Sequence, residues 1–599
     1  MYGRYLKKII FPYCNKKLSV IVTLFILLLY LILVFYKKEE DKIIKENFFI
    51  IDSNHLEKVV SHMYGYSVSL NGILTDNYYK QIGEYQEPEH QGVFIMIRKF
   101  ENEIIIHQDF YGCFGLYFYE NKEDNYFALS NSFLLLEEYL IGKQNITFNK
   151  DFADNLITTD LCSCSLDETL INEIKQIPSD SFVVINIKKK LVKINKIDYK
   201  ENTIPLDSEE GLKIIDKWVD KWGYILRSLK KQTGNIASDL SGGIDTRVVL
   251  SILLNSGINM NDIIINSINN KLNDHDIDYI IASKISKKFG FELNKPSFDN
   301  KSISLNIKTS ILNTLYTKLG FHKQFYLKEK FYIKPRFIFT GGGGESLRGK
   351  PGIPIEKYIK LQSFRQIEGH SEELFNSSKN LMNRSISLLK KQKSFNNEYE
   401  ISYDLYSKNF GKYHYGKEAL EGFLSNNYNI NPLMDPDIKQ IKYDIKGEKS
   451  HDLIAYIFVR LAKDLINFEI QGNRTLDRKS IEKAKKLNEK RFPYVIKTGF
   501  NKNFFIDRIR KYSSFPFKIN GNPYDYLHKL IKSSKYIELL NKIYDINIYN
   551  WANQYSKKTN YHSLSQHYAL LAVANTIDYL SLNEKGIKKD LHKIFYINI

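Results

Sequence analysis

Residues Ile236 to Arg247, read as Ile-Ala-Ser-Asp-Leu-Ser-Gly-Gly-Ile-Asp-Thr-Arg, constrain this chain more than any other stretch. The spacing predicts a short strand, a Ser241-Gly242-Gly243 turn, and a helix starting near Thr246 and running through Val248, Val249, Leu250, Ile252 and Leu253 to Gly257. Paired glycines leave no side chain between the backbone and a ligand. The unpaired N–H groups of the following helix, and the positive end of its dipole, face back onto the turn. A loop of this kind suits phosphate or pyrophosphate. A glycine turn before a helix, with no ligand, is the plainer reading of the same residues. No Gly-Lys-Ser/Thr follows at the required spacing, which excludes a Walker loop.

The segment Ser241-Gly242-Gly243-Ile244-Asp245-Thr246 resembles the pyrophosphate loop, Ser-Gly-Gly-x-Asp-Ser, of enzymes that split ATP into AMP and pyrophosphate. It differs only in Thr246, which keeps the hydroxyl. The resemblance implies that Ser241, Gly242, Gly243, Asp245 and Thr246 bind ATP and that Asp245 holds Mg²⁺. Further on, Asp262-Ile263-Ile264-Ile265-Asn266-Ser267 reads as a buried strand, and Asp278 to Phe289 as an amphipathic helix capped by Gly290.

A second glycine loop follows an apolar strand: Phe337-Ile338-Phe339-Thr340-Gly341-Gly342-Gly343-Gly344-Glu345. It is similar to the Ser-Gly-x-Gly-x-Asp-Glu loop of the asparagine synthetase family. Asn431-Pro432-Leu433-Met434-Asp435 resembles that family's Pro-Phe-Leu-Asp segment. The resemblance implies that Thr340 and Gly341 line the nucleotide site and that Ser267 contacts adenine through its backbone. It also implies that Asp245 and Glu345, from separate loops, share Mg²⁺ as hard oxygen ligands. Gly342 stands where the family often carries a catalytic side chain. Lys497, in Lys497-Thr498-Gly499-Phe500, is the expected catalytic cation, with Arg474 the second candidate.

Residues 46–205 alternate short apolar runs with turns; Val93–Ile97, Ile104–Ile106 and Phe182–Ile185 read as strands. Asp109-Phe110-Tyr111-Gly112-Cys113-Phe114-Gly115-Leu116-Tyr117 looks like the Asp-x-x-Gly-x-x-Pro-Leu-Tyr motif of the same family's glutamine amidotransferase domain, and Asn71-Gly72 resembles its Asn-Gly pair. That domain uses a cysteine at its mature N-terminus, whereas this chain begins Met1-Tyr2-Gly3. The domain is therefore expected to be a degenerate one that does not hydrolyse glutamine, with Cys113 at a packing position of the motif.

Leu18–Tyr36 is an uncharged apolar run, long enough as a helix to span about 28 Å of bilayer. No cleavage site follows it. Arg4, Lys7, Lys8, Lys16 and Lys17 before it nearly balance Lys37, Lys38, Lys42 and Lys45 after it, so charge does not set its orientation. The net charge of +18 is spread along the whole chain without a compact basic-aromatic motif, and nucleic acid is not an expected partner. The four cysteines, Cys14, Cys113, Cys162 and Cys164, form neither a disulfide framework nor a zinc motif.

The expected architecture is α/β: a tail (1–17), a transmembrane helix (18–36), an Ntn-hydrolase-like amidotransferase domain (46–205), a parallel-sheet pyrophosphate-loop domain of adenine nucleotide alpha hydrolase type (206–500), and a helical extension (501–599). The Leu18–Tyr36 run implies a single-pass membrane protein, ATP chemistry calls for its catalytic domains in the cytoplasm, and the resemblance implies an AMP-forming carbon–nitrogen ligase acting on ATP and Mg²⁺. Its substrates would be a small-molecule or glycan-linked carboxylate and ammonia or an amine; homo-oligomer formation is left open. The alternative is a nucleotide-binding scaffold or regulator whose catalytic sites have decayed.

Overall fold

The computed structural model describes residues 47–158, 165–199, 201, 203–234, 236–270, 275–296, 302–304, 314–318, 330–332, 334–347, 353–364, 372–442, 451–470 and 475–490, and further on 538–540, 573–574, 576–578 and 580. The Leu18–Tyr36 segment, Cys14, Cys162, Cys164, Arg474, Lys497 and nearly all of 501–599 lie outside the described residues. Contacts divide the chain into Met1–Phe49 and Ile50–Ile599, and the described strands and helices all belong to the second unit. Among the described residues, no helix is long and apolar enough to cross a membrane.

This second unit is mixed α/β. Its first part runs β1 (Ile50–Asp52), β2 (His62–Ser69), β3 (Gly72–Leu74), α1 (Asp76–Ile82), β4 (Gly92–Lys99), β5 (Glu103–Gln108), β6 (Tyr117–Asn121), β7 (Tyr126–Ser130), α2 (Phe133–Leu140), α3 (Lys150–Thr158), β8 (Ile174–Gln176), β9 (Ser181–Asn186) and β10 (Leu191–Lys196). These strands form two antiparallel sheets, of order β1-β7-β6-β8 and β10-β9-β5-β4-β2-β3. β4 is buried on both faces, because Phe94 and Met96 pack with Tyr79 of α1 while Ile95 is also fully covered. The edge strand β10 instead exposes Leu191 and Ile194 among lysines, a usual way to discourage strand addition. The Asp109 motif is a turn organised by its carboxylate, which accepts hydrogen bonds from the N–H groups of Phe94 (3.1 Å), Tyr111 (3.0 Å) and Cys113 (3.1 Å).

The second part begins at β11 (Ile204–Pro205) and the long helix α4 (Glu209–Thr233). Sequence supplies both ends of α4: Ser208 caps Gly211 N–H at 3.0 Å, Glu209 and Glu210 open it, Lys230 and Lys231 close it, and Gly234 adopts the left-handed stop. Then come β12 (Ile236–Asp239), α5 (Ile244–Asn255), β13 (Ile264–Asn266), α6 (His275–Phe289), β14 (Ser302–Ser304), β15 (Lys330–Tyr332) and β16 (Arg336–Phe339). The chain continues through α7 (Ile355–Phe364), α8 (Glu372–Gln392), α9 (Glu398–Phe410), α10 (Lys417–Leu424), β17 (Asn427–Ile430), α11 (Pro436–Lys439), β18 (Ile441–Lys442), α12 (Asp452–Leu461) and α13 (Arg478–Asn488). Strands β13-β12-β16-β17, in that order, form one wholly parallel sheet. Its Ile236, Ile265, Phe337 and Tyr428 are at most 1 % exposed, as a sheet covered on both faces requires.

Two boundaries differ from the sequence reading. Helix α5 starts at Ile244, two residues earlier than expected, because Gly243 already takes the extended cap conformation. Strand β13 is shorter than 262–267, because Met260–Asp262 forms a helical turn capped by the Asn259 side chain at Asn261 N–H (3.0 Å).

The two parts are joined by buried polar contacts. Tyr66 Oη donates to Asn429 O of β17 (2.8 Å), Tyr413 Oη to Gln176 Oε1 (2.6 Å) and Lys417 Nζ to Phe114 O (2.5 Å). A π-helical turn, Gly411–Gly416, presents its glycines to the Asp109 motif, where a Cβ at 411 would stand 2.3 Å from Tyr111. On α2, both carboxylate oxygens of Glu137 are buried without a hydrogen-bond partner among the described residues. Burial pushes Glu137 up to about 8, with Thr576 opposing slightly. The folded chain therefore holds this proton between pH 4.5 and 8 while the unfolded chain loses it, and stability falls as pH rises through that window. Glu137→Gln is expected to leave the urea midpoint nearly unchanged near pH 5 and to raise it at pH 8, a gain in stability of up to about a few kcal/mol. Equal midpoints at pH 8 would remove the buried-acid account.

Candidate functional site

The site grows from the carboxyl ends of β12 and β16. These adjacent parallel strands are where chain connections diverge: β12 leads to β13 on one side, and the later β16 lies on the other. Such a switch point opens a crevice at the sheet's carboxyl edge. Both glycine loops leave the sheet at that crevice.

The first loop is held by its own hydroxyls. Ser241 N–H donates to Thr246 Oγ1 (3.1 Å), and Gly243 N–H donates to Ser241 Oγ (3.1 Å). Leu240 N–H is taken by Asn266 O (2.8 Å), which fastens the loop root to β13. Gly242 N–H donates to Asp278 Oδ1 of α6 (2.9 Å), and a Cβ on Gly242 would lie 2.5 Å from that oxygen. A side chain at 242 would therefore have to displace the Asp278 carboxylate from the loop. Arg247, 1 % exposed, donates to Gly242 O (2.7 Å) and to the carbonyls of Phe468 (3.2 Å) and Glu469. Burial pulls its guanidinium down to about 10, against the pull of Asp278.

The second loop touches the first through backbone. A Cβ on Gly341 would stand 2.8 Å from Thr246 N, and one on Gly344 would stand 2.4 Å from Asp245 Cγ. The carboxylate of Asp245 therefore lies directly against the second loop. Thr340 Oγ1 donates to Asn431 Oδ1 and accepts from Gly342 N–H (3.3 Å). The Asn431–Asp435 segment is itself anchored to α4. Trp218 Nε1 donates to Pro432 O (3.1 Å), Trp222 Nε1 to Asp435 Oδ2 (2.8 Å), and Lys221 pairs with Asp435 (3.0 Å).

The expected residues are distributed unevenly over this arrangement. Ser241, Gly242, Gly243, Asp245, Thr246, Thr340 and Gly341 come together at the carboxyl ends of β12 and β16. The Glu345 carboxylate accepts a hydrogen bond from Tyr406 of α9 through Oε2, a partner that a metal shared with Asp245 would have to accommodate. Ser267 lies at the end of β13, but its backbone is engaged: its N–H donates to Asn294 Oδ1 (2.8 Å) and its carbonyl accepts from Asn294 Nδ2 (2.9 Å). Its hydroxyl, buried with no hydrogen-bond partner among the described residues, is the more available contact. Lys497 is outside the described residues.

Three residues here escaped the sequence reading. Asp278 and Arg247 brace the first loop from α6 and from within α5. Lys439, at the end of α11, donates from Nζ to Gly343 O (3.1 Å) and is only 5 % exposed. Burial pulls Lys439 down to about 7, with Glu201 and Asp245 pulling the other way. In a chain with 86 lysines and arginines, nothing in the sequence distinguishes it.

The donor set fits a nucleotide with Mg²⁺. Asp245 offers hard oxygen, the start of α5 lies against the second loop, Ser267 offers an orphaned buried hydroxyl, and Lys439 offers a cation beside the loops. Cys113, the one described cysteine, is fully buried against Gly416, and burial pushes its thiol far up, with Asp109 adding to the shift. A thiol so placed is a packing group and a poor nucleophile. The chain matches no protein-family model and no curated protein sequence.

Proposed function

We propose that this protein is an asparagine synthetase-like, ATP-dependent amide-forming ligase that releases AMP and pyrophosphate, with no glutaminase activity of its own. The finer fold assignments belong to the same proposal: an Ntn-hydrolase-like first part and a pyrophosphate-loop second part. One observation carries it: two glycine loops, leaving adjacent parallel strands at a switch point, meet in backbone contact around Asp245.

In this reading a substrate carboxylate oxygen attacks the α-phosphorus of ATP, the bond from that phosphorus to the bridging oxygen breaks, and pyrophosphate leaves. The N–H groups at the start of α5 and the hydroxyls of Ser241 and Thr246 receive the pyrophosphate. Lys439 supplies positive charge beside the second loop. Mg²⁺, held through Asp245, would neutralise the phosphate oxygens. An amine or ammonia then attacks the acyl carbon, AMP departs, and the surplus amine proton passes to solvent. Without the family's N-terminal cysteine, and with Cys113 buried, nitrogen comes from free ammonia, from another subunit or from an amine substrate. The Leu18–Tyr36 run favours a membrane-associated, glycan-linked carboxylate, and use of ATP calls for the catalytic parts in the cytoplasm.

The test is pyrophosphate and AMP release from ATP by the full chain in detergent or lipid, screened over carboxylates with ammonia or amines. Release that requires both a carboxylate and Mg²⁺ supports the ligase. Mg²⁺-dependent ATP binding with no turnover over broad substrate pools would favour the nucleotide-binding scaffold, a reading that the engagement of Glu345 by Tyr406 supports.

A further inference from the structure

A second cluster lies on the antiparallel part, remote in sequence from both glycine loops. His107 lies one residue before the end of β5, Arg98 lies diagonally beside it on β4, and Glu87 and His90 come from the loop that leads into β4. One ligating atom from each of Glu87, His90 and His107 lies within 4.8 Å of the other two. Glu87 Oε1 is 3.7 Å from His90 Nε2 and 3.6 Å from His107 Nδ1. A tetrahedral ion with bonds near 2.1 Å places its ligands about 3.4 Å apart. Two of the three separations are thus already near that value.

The ring orientations are as informative as the distances. His90 Nδ1 sits 3.1 Å from Gln108 O, a carbonyl that can only accept, so Nδ1 carries the proton in the neutral ring. Its Nε2 lone pair therefore faces a carboxylate oxygen, acceptor against acceptor. His107 is 3 % exposed and stacks on Phe182 with rings 8° from parallel. Its Nε2 is 2.9 Å from Arg98 Nη2, which can only donate. Its Nδ1 points into the cluster, buried and without a hydrogen-bond partner among the described residues. The backbone carbonyl behind His90 is the outer support that orients a metal-binding imidazole.

We infer that Glu87, His90 and His107 form a binding site for a divalent transition ion of the zinc type, with a fourth position open to water. Two imidazole nitrogens and one carboxylate oxygen are a borderline donor set, suited to Zn²⁺ or Co²⁺ rather than to Mg²⁺. Arg98 holds the site in its metal-free form, pairing with Glu87 Oε2 (3.2 Å) and donating to His107. When the ion binds, the His107 ring proton moves from Nδ1 to Nε2. Arg98, then facing an N–H, pairs with Glu87 alone. No electron is transferred and no covalent bond to carbon changes.

The test is titration of the metal-free full chain with Zn²⁺ by calorimetry and with Co²⁺ by visible absorption. The expected result is one ion per chain at this site. The Co²⁺ spectrum should lack the sulfur charge-transfer band that a site built from Cys162 and Cys164 would give. Glu87 is half exposed, so Glu87→Gln leaves the fold intact; it and His90→Gln should each weaken binding at least tenfold. Arg98→Leu should tighten binding by removing the competing cation. Absence of Zn²⁺ binding, or equal binding by the native chain and both weakening variants, overturns the assignment.

Discussion

Asp245→Asn is expected to reduce carboxylate-dependent pyrophosphate release by about a thousandfold or more, the scale of losing several kcal/mol of charge stabilisation at a transferring phosphate. The side chain keeps its volume, so its contacts with Gly341 and Gly344 survive and the thermal midpoint should hardly change. Binding of ATP should persist in weakened form and lose its dependence on Mg²⁺, because an amide is a poorer ligand for a hard ion. Release measured with saturating ATP, together with calorimetric binding in Mg²⁺ and in EDTA, separates these effects. A variant as active as the native chain would mean that Asp245 holds no metal, and the ligase reading would fall with it.

Lys439→Met should have opposite effects on stability and on nucleotide binding. The lysine's pKa lies at about 7 in the folded protein and 10.5 in its absence, chiefly because burial opposes the charge. Below pH 7 both states are protonated, and the folded one bears the full cost of a buried ammonium. Between 7 and 10.5 the unfolded chain holds more protons, so this group's contribution to stability rises with pH. Methionine removes the charge, and the variant should be more stable than the native chain at pH 6 by a few kcal/mol. The loss of the bond to Gly343 O subtracts about 1 kcal/mol from that gain. The advantage should shrink as pH approaches 10. ATP affinity should fall at pH 6, since the cation beside the second loop is gone. Denaturant midpoints at pH 6 and 9.5, with ATP titrations at pH 6, give both signs. A variant that is more stable and binds ATP as well as before would make Lys439 a mere burden on the fold.

The two loops also show how much of the fold is legible in the sequence. Strand, Ser-Gly-Gly turn and helix were legible at 236–255, because local periodicity and backbone chemistry determine such a unit within a dozen residues. The apolar strand and four glycines at 336–344 were legible for the same reason. The antiparallel strands near 93, 104 and 182 showed their alternation or apolar runs. What was not legible is pairing at a distance. Asp278 meets Gly242 across 36 positions, Lys439 meets Gly343 across 96, and Trp218 meets Pro432 across 214. No periodicity records such meetings.

Sequence by itself therefore determined the elements and the glycine loops between them, because propensity, capping and glycine freedom act locally. Tertiary structure alone decided which of those residues face one another. It turned a carboxylate of Glu345 toward Tyr406, occupied the backbone of Ser267 with Asn294, buried Cys113 against Gly416 and brought Glu87 and His90 of one loop to His107 of β5. The reason is physical. Burial and close packing depend on which elements meet in space, and it is burial that shifts a lysine, silences a thiol and leaves an imidazole nitrogen facing a carboxylate.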